Sequence, residues 1–324
     1  MPMMMPHATQ FASLIFQIAS MGKSSKDKRD IYYRLAKEQG WRARSAFKLL
    51  QIQEKIDIFR DVKRVVDLCA APGSWSQVLS KTIYEPCKDD PSIRIIAVDL
   101  QPMAPLEGVM QLQGDITDRS TADNIIAHLD GQLSDLVVCD GAPDVVGLLD
   151  FDEYVQHQLV LSALDLTSRI LKSGGTMVAK VFRGKRIGKL CADLKLFFPE
   201  VVIAKPKCSR DSSLEAFVVC QNYVPLPEFT SSSDNLLDYL AEKNPARHLS
   251  ENLYPEVPFL VCGEEGAFDS DRTYPLNLTE GKSEGQKEYE YKAPVQPPIN
   301  PPYKEAQKMR KDKTLFQPKL PIQL

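Results

Sequence analysis

Four aspartates stand where four apolar runs end. Asp67 lies in Arg64–Cys69, just before the tight turn Ala70-Ala71-Pro72-Gly73. Asp99 closes the run that begins at Arg94, Asp115 follows Val109–Gln113 and Gly114, and Asp140 follows Asp135–Cys139. Any one of these acids alone reads as a turn or cap residue. Four at successive strand ends make one edge rich in acceptors, and ligands of open α/β sheets bind outside the carboxyl ends of the strands. An acid ending the second strand, Asp99, is placed to accept hydrogen bonds from ribose hydroxyls. Asp115 is suited to an adenine amino group. The first turn has one glycine, Gly73, where a dinucleotide fold uses G-x-G-x-x-G, which counts against pyrophosphate binding and a nicotinamide dehydrogenase. A small, tight turn still lets backbone approach an uncharged adenosine–amino-acid ligand.

The elements that must hold this edge are legible from residue 64 onward. Short β-rich runs at Arg64–Cys69, Arg94–Leu100, Val109–Gln113, Asp135–Cys139, Thr176–Phe182, Val201–Lys205 and Leu214–Cys220 alternate with helical patterns at Trp75–Thr82, Thr121–Leu129, Asp152–Leu171 and Ile187–Phe198. Near-continuous apolar strands separated by helices predict a mostly parallel sheet covered on both faces. Right-handed crossovers make it doubly wound, a Rossmann-like α/β fold. The last two runs are too close for a helical crossover, so the last strand of the seven is expected to pair antiparallel. Beyond Tyr223 the composition changes: thirteen of 23 prolines fall there, five of them within 294–302. Proline at that density favours extended segments over a packed core. The expected organisation is an N-terminal extension over 1–20 without a fold of its own, a folded domain over 21–223, and an extension over 224–324 that lies on the domain or on a partner.

Composition narrows the class. The chain has 324 residues, 43% apolar and 26% charged, values of a globular protein. No run approaches the ~20 apolar residues that span a bilayer. Seven cysteines without a C-x-x-C spacing, several inside apolar runs, fit a reducing compartment and argue against a disulfide framework or a zinc knuckle. The expected location is the cytoplasm, with a nuclear pool allowed, and no metal is expected. Net charge is −3, but residues 21–48 and 183–210 each carry +6 and 303–319 carry +4. Basic islands on an acidic body suggest a polyanion docked at particular places, against the plainer reading of solvated helix faces.

The runs DLCAAPGSWSQVL, AVDLQPM, QGDIT, CDGAPD, GGTMVAKVF and SRDSSLEAFVV, in this order, resemble the FtsJ (RrmJ) family of S-adenosylmethionine-dependent ribose 2′-O-methyltransferases over residues 21–223. The start MGKSSKDKRDIYYRLAKEQGWRARSAFKLL and the late DSDRTYPL and PPINPPYKEA resemble the eukaryotic branch that methylates the tRNA anticodon loop. The resemblance implies a class I methyltransferase fold and S-adenosyl-L-methionine as methyl donor. It implies a catalytic set of Lys48, Asp140, Lys180 and Glu215, and cofactor contacts from Gly73, Trp75, Asp99, Asp115 and Asp140. It also implies auxiliary proteins that select the target nucleotide, one with WD40 repeats and one with helical repeats.

The chemistry of that set is coherent in itself. Lys180 sits among Met177, Val178, Ala179, Val181 and Phe182, and a lysine there is costly to bury unless paired. Methyl transfer to a hydroxyl needs a group that takes the proton as oxygen attacks. Burial, a neighbouring Lys48 and a sulfonium all push a lysine from its reference of about 10.4 toward use as a base. Asp140 and Glu215 oppose that shift and orient the amine, so the four form one coupled set. Tyr32, Tyr33, Trp41 and Phe47, interleaved with arginines, offer stacking and phosphate contacts for RNA, or else core packing. Arg183, Lys185, Arg186, Lys205, Lys207 and Arg210 offer a phosphate track beside the catalytic strand. Two other readings keep the fold: ribosomal RNA as substrate, or a catalytically silent RNA-binding scaffold. The long tail weighs against the first and the intact four-residue set against the second.

Overall fold

The computed structural model describes residues 30–143, 147–226, 229, 236–244, 254, 256–274, 295, 309 and 312. The expected extension over 1–20 and most of the proline-rich tail lie outside these residues. Two helices open the described chain, α1 (Ile31–Glu38) and α2 (Ala46–Ile56). Asp30 caps α1 by accepting from the Tyr33 amide at 3.1 Å, a contact worth about 1 kcal/mol in such caps. The strands follow as β1 (Arg64–Leu68), β2 (Arg94–Asp99), β3 (Val109–Gln113), β4 (Ser134–Cys139), β5 (Leu171–Phe182), β6 (Glu200–Pro206), β7 (Glu215–Gln221) and β8 (Phe259–Cys262). Between them run α3 (Ser74–Leu79), α4 (Arg119–His128), α5 (Leu149–Ile170), α6 (Ile187–Leu194) and, before β8, α7 (Leu236–Lys243). No helix among the described residues is long and apolar enough to cross a membrane.

The sheet order is β3-β2-β1-β4-β5-β7-β6-β8. β1 pairs parallel with both β2 and β4, so its carboxyl end is the switch point where the winding reverses. β7 runs antiparallel between β5 and β6, as the short connection required. All six residues of β4 are buried, which is why its run SDLVVC shows no polar alternation. Helices on both faces bury two apolar layers: α5, α4 and α6 cover one, and α2 and α3 cover the other.

The expected seven-stranded sheet is corrected to eight. Phe259–Cys262, expected within the extension, pairs parallel with β6 through Ile203↔Phe259 to Pro206↔Cys262. The segment around it is also fastened down. Phe229 stacks on Phe197 with centroids 5.8 Å apart, and the Asn244 side chain donates to Asp193 at 2.7 Å. Tyr32 donates its hydroxyl to the Phe268 carbonyl at 2.8 Å. The apolar VPFLVC stretch therefore docks on its own domain, because the outer edge of β6 offers unpaired backbone groups to a strand.

Candidate active site

The carboxyl ends of β1 to β5 open onto a cleft of about 830 Å³. Cys69, Ala71 and Pro72 after β1, Asp99 to Gln101 after β2, Gly114 to Thr117 after β3 and Asp140 to Pro143 after β4 line it, and Lys180 of β5 reaches it. Its far wall is one face of α5, with Val155, Leu159 and Ser162. Asp99 ends β2 and turns both carboxylate oxygens to backbone: Oδ2 accepts from the Ala71 amide and Oδ1 from the Gln101 amide, each at 2.9 Å. This holds the first loop against the acid and leaves each oxygen a further lone pair for a ligand. Asp115 is oriented likewise, accepting from the Thr117 amide at 2.8 Å and hydroxyl at 2.7 Å.

Next to this cleft stands a chain of alternating charge. The Lys180 ammonium lies 3.1 Å from Asp140 Oδ1 and donates to the Asp140 carbonyl at 2.7 Å. Lys48 Nζ lies 4.0 Å from the same Oδ1 and donates to Glu215 Oε2 at 2.8 Å. Glu215 Oε1 in turn accepts from the Ser209 hydroxyl. The sheet register explains the convergence. Lys180 pairs with Phe217 and Phe182 with Glu215, so Lys180 and Glu215 rise on the same face, one diagonal apart. Cys139 pairs with Ala179, which sets Asp140 beside Lys180. Lys48 comes in from α2 over the Phe217 ring, 5.8 Å from its centroid.

Electrostatics divides these groups. Burial alone would depress Lys48, but the Asp140 and Glu215 carboxylates outweigh it and hold its pKa above the ordinary lysine value. Burial would raise Glu215, but Lys48 and the bonds from Lys48 and Ser209 keep it below the ordinary carboxylate value. Lys48 and Glu215 are therefore a fixed ion pair at neutral pH, with Asp140 shared between Lys48 and Lys180.

The structure thus brings together all four expected catalytic residues, and Asp99, Asp115 and Asp140 at the cleft. Two expected cofactor contacts do not line the cleft. Trp75 is a core residue, 2% exposed, packed on Phe217 and donating its indole N–H to the Ser45 carbonyl at 2.9 Å. Gly73 stands beside the cleft rather than lining it. It has φ 97°, and a Cβ there would meet the Arg42 guanidinium at 2.5 Å. Asp67, the first strand-end acid, is 1% exposed and takes the Ser76 hydroxyl at 2.5 Å. Burial, with Asp140 and Asp99 nearby, pushes it up to about 7, the value of a structural acid under the site.

Two residues were not anticipated. Arg42, in the first basic island, lines the cleft and donates to the carbonyls of Pro72, Ala104 and Pro105 at 2.7–2.9 Å, tying the first loop to the loop after β2. Gln156, 1% exposed on α5, donates to the carbonyls of Lys180 at 2.8 Å and Gly141 at 3.1 Å. A glutamine inside the apolar stretch YVQHQLVLSAL was the available signal for the second, since a buried amide requires partners. Much of the first island is likewise internal. Arg34 is buried and reaches the Tyr274 carbonyl, and Arg44 pairs with Asp30. Tyr32 is buried too, so the core reading holds for it.

A family model described as "FtsJ-like methyltransferase" matches residues 41–223. The chain is 53% identical over 308 residues to a tRNA (cytidine(32)/guanosine(34)-2′-O)-methyltransferase of Mus musculus, covering 93% of this chain and 90% of that protein. It is 56% identical over 265 residues to the Homo sapiens protein of the same name, covering 82% and 79%. Among solved structures, a ribosomal RNA methyltransferase of Plasmodium falciparum superposes with TM-score 0.51 at 26% identity, over 57% of this chain and all of that one. The family model covers more than half of the chain, and the chain belongs to the FtsJ-like methyltransferases.

Proposed function

We propose that this protein transfers a methyl group from S-adenosyl-L-methionine to ribose 2′-hydroxyls of nucleotides in the tRNA anticodon loop. The observation that carries the reading is the Lys48–Asp140–Lys180–Glu215 chain abutting a cleft of about 830 Å³. The cleft has the size of small-molecule sites, and its donor set fits the cofactor. Asp99 is an acceptor for ribose hydroxyls, Asp115 for the adenine amino group, and Ile116, Leu100 and Pro143 give apolar walls. When bound there, the cofactor supplies an electrophilic methyl carbon on a sulfonium.

The chain's own residues do the rest. Lys180 Nζ, after giving up its own proton to solvent, would take the proton of the 2′-hydroxyl as that oxygen attacks the methyl carbon the bound cofactor would present. Lys48, committed to Glu215, holds the fixed positive charge of the set, so proton movement falls on Lys180. Asp140 orients the Lys180 amine through both its carbonyl and its carboxylate. Gln156 fixes the backbone of Lys180 and Gly141 from behind. Such in-line placement accounts for roughly 7–11 kcal/mol of barrier in well-oriented reactions.

The names of the mouse and human relatives support positions 32 and 34 of tRNA as targets. The family resemblance supports two auxiliary proteins, one WD40-repeat and one helical-repeat, that select between the nucleotides. The seven free thiols support a reducing compartment, the cytoplasm with a nuclear pool. Incubation with labelled S-adenosylmethionine and total tRNA, followed by mapping of 2′-O-methyl groups, tests the reading. Label at anticodon-loop riboses, restored to full rate by the auxiliary proteins, supports it. Absence of label from tRNA, or label confined to riboses outside the anticodon loop, refutes it.

A further inference from the structure

The rim of the cleft carries a cluster that the methyl-transfer chemistry does not use. α5 begins beside the active edge, and its first turns expose Leu149, Phe151 and Tyr154, the last two about half accessible (52% and 49%). The same helix lines the cleft with Val155, Leu159 and Ser162. Large aromatic side chains left open on a rim need a reason. Across from them, the loop that leaves β5 two residues after Lys180 carries Arg183, Lys185, Arg186 and, in α6, Lys189. Arg186 lies 5.9 Å over the Tyr154 ring and donates Nη1 to the Asp150 carbonyl at 2.8 Å, while its amide donates to Glu153 Oε1 at 2.8 Å. Arg183 lies 5.2 Å over the ring of Phe259, which β8 leaves 47% exposed. Asp150 is the exposed acid of this turn.

We infer that Phe151 and Tyr154, with Arg186 behind Tyr154 and Arg183 in the same loop, form a stacking platform for the unpaired bases next to the ribose being methylated. The inference rests on the proposed RNA substrate and names the part of the protein that holds it. Single-stranded RNA is gripped by aromatic faces that take splayed bases and by cations that follow the phosphates. Here the Tyr154 ring already has the Arg186 guanidinium at one face, which leaves the other for a base, and Phe151, one turn earlier on the same helix, adds a second exposed ring. The charge complements a phosphate chain: four cations lie within 183–189. A protein partner would be served by the apolar residues but has no comparable use for the paired arginines.

The full-length Phe151→Ala/Tyr154→Ala variant tests it, with binding of an RNA hairpin carrying a single-stranded loop read by anisotropy and methyl transfer read separately. Loss of stacking costs about 5- to 150-fold in RNA affinity for each stacked base, so the Kd and KM for RNA are expected to rise while cofactor affinity and the turnover number at saturating RNA stay near wild type. Tyr154→Phe should restore binding, and 5-iodouridine in the loop should photocrosslink to the wild type near Tyr154. Unchanged RNA affinity in the double variant overturns the inference. So does loss of a co-purifying protein partner with RNA binding intact. If the hairpin binds through these rings but the wild type transfers no methyl group to any RNA, the proposed function fails and the platform stands.

Discussion

Two buried lysine sites lie on strands β5 and β6 of the same sheet, with β7 between them, and they use their charge differently. Lys180, with Lys48 beside it, faces carboxylates: Asp140 is 3.1 Å from Lys180, and Glu215 is 2.8 Å from Lys48. Lys205 on β6 spends its hydrogen bonds on carbonyls, donating to Arg210, Ser213 and Glu215 at 3.0, 2.8 and 2.7 Å. Burial is nearly equal, 9% exposed for Lys48 and Lys180 and 6% for Lys205. The outcome is opposite. Burial lowers Lys205 below the ordinary lysine value, whereas two carboxylates lift Lys48 above it. Three carbonyls saturate an ammonium in a fixed geometry and close the loop between β6 and β7. Shared carboxylates leave a coupled set through which a proton can move. Lys205 was expected in a phosphate track; the fold assigns it to the loop instead.

Breaking the two sites should give different kinds of damage. Lys180→Ala should cut methyl transfer by about 10²–10⁴, the usual range for a general base, with unfolding midpoint and cofactor affinity close to wild type. Single-turnover rates and calorimetry check this, and retention of more than half the turnover would remove Lys180 from its role. Lys205→Met should instead lower stability by about 2–4 kcal/mol, because three buried carbonyls lose their donor. Urea unfolding measures that loss. A stable Lys205→Met protein with no activity would erase the distinction.

Asp99→Ala separates cofactor binding from both lysine sites. Hydrogen bonds to a charged group are worth about 1.5–3 kcal/mol, so S-adenosylmethionine should bind about 10- to 150-fold more weakly while RNA affinity holds. Part of that loss would come from the freed Ala71 and Gln101 amides, which now donate to Asp99. Titration calorimetry with unchanged affinity would contradict the assignment.

The smallest expected effect is at Asp67, whose pKa is pushed up to about 7 by burial under the site. An acid whose folded pKa is raised favours folding when protonated. Its contribution is present below the unfolded value of about 4 and is lost as pH rises through about 7. Asp67→Asn keeps the acceptor for Ser76 and removes the charge, so it should flatten the decline in stability between about pH 4 and 7. Thermal melts across that window decide it; an unaltered slope would place the titration elsewhere.

Strand positions were readable because buried strands have no polar alternation and their ends carry the acids. Val109–Gln113 agrees residue for residue, and the other strands found in the sequence, apart from β5, differ by one residue at one end or, for β6 and β7, at both. β5 begins at Leu171, five residues before the expected Thr176, because it takes over directly from α5. α1 and α2 were missed as elements, since the basic residues along them masked an apolar stripe that includes Ile31, Ala46, Leu49 and Ile52. β8 was missed because four apolar residues in a proline-rich context are too short to show a period. Only the free edge of β6 selects them.

By itself the sequence determined which residue types stand at the strand ends, the order of the motifs and hence the chemistry on offer. That information is local: one acid or lysine after one apolar run. Tertiary structure decided which charges are available to a ligand. Arg34, Arg42, Arg44 and Lys205 look alike in the sequence to Arg183 and Arg186, yet the first four are tied to interior carbonyls or an aspartate, while Arg183 and Arg186 each stand over an exposed ring. It also moved Trp75 from cleft to core and joined Glu215 to Lys48 across 167 positions of sequence. The reason is physical: a buried charge must find partners, and those partners come from strands and loops that only the register of the sheet brings within reach.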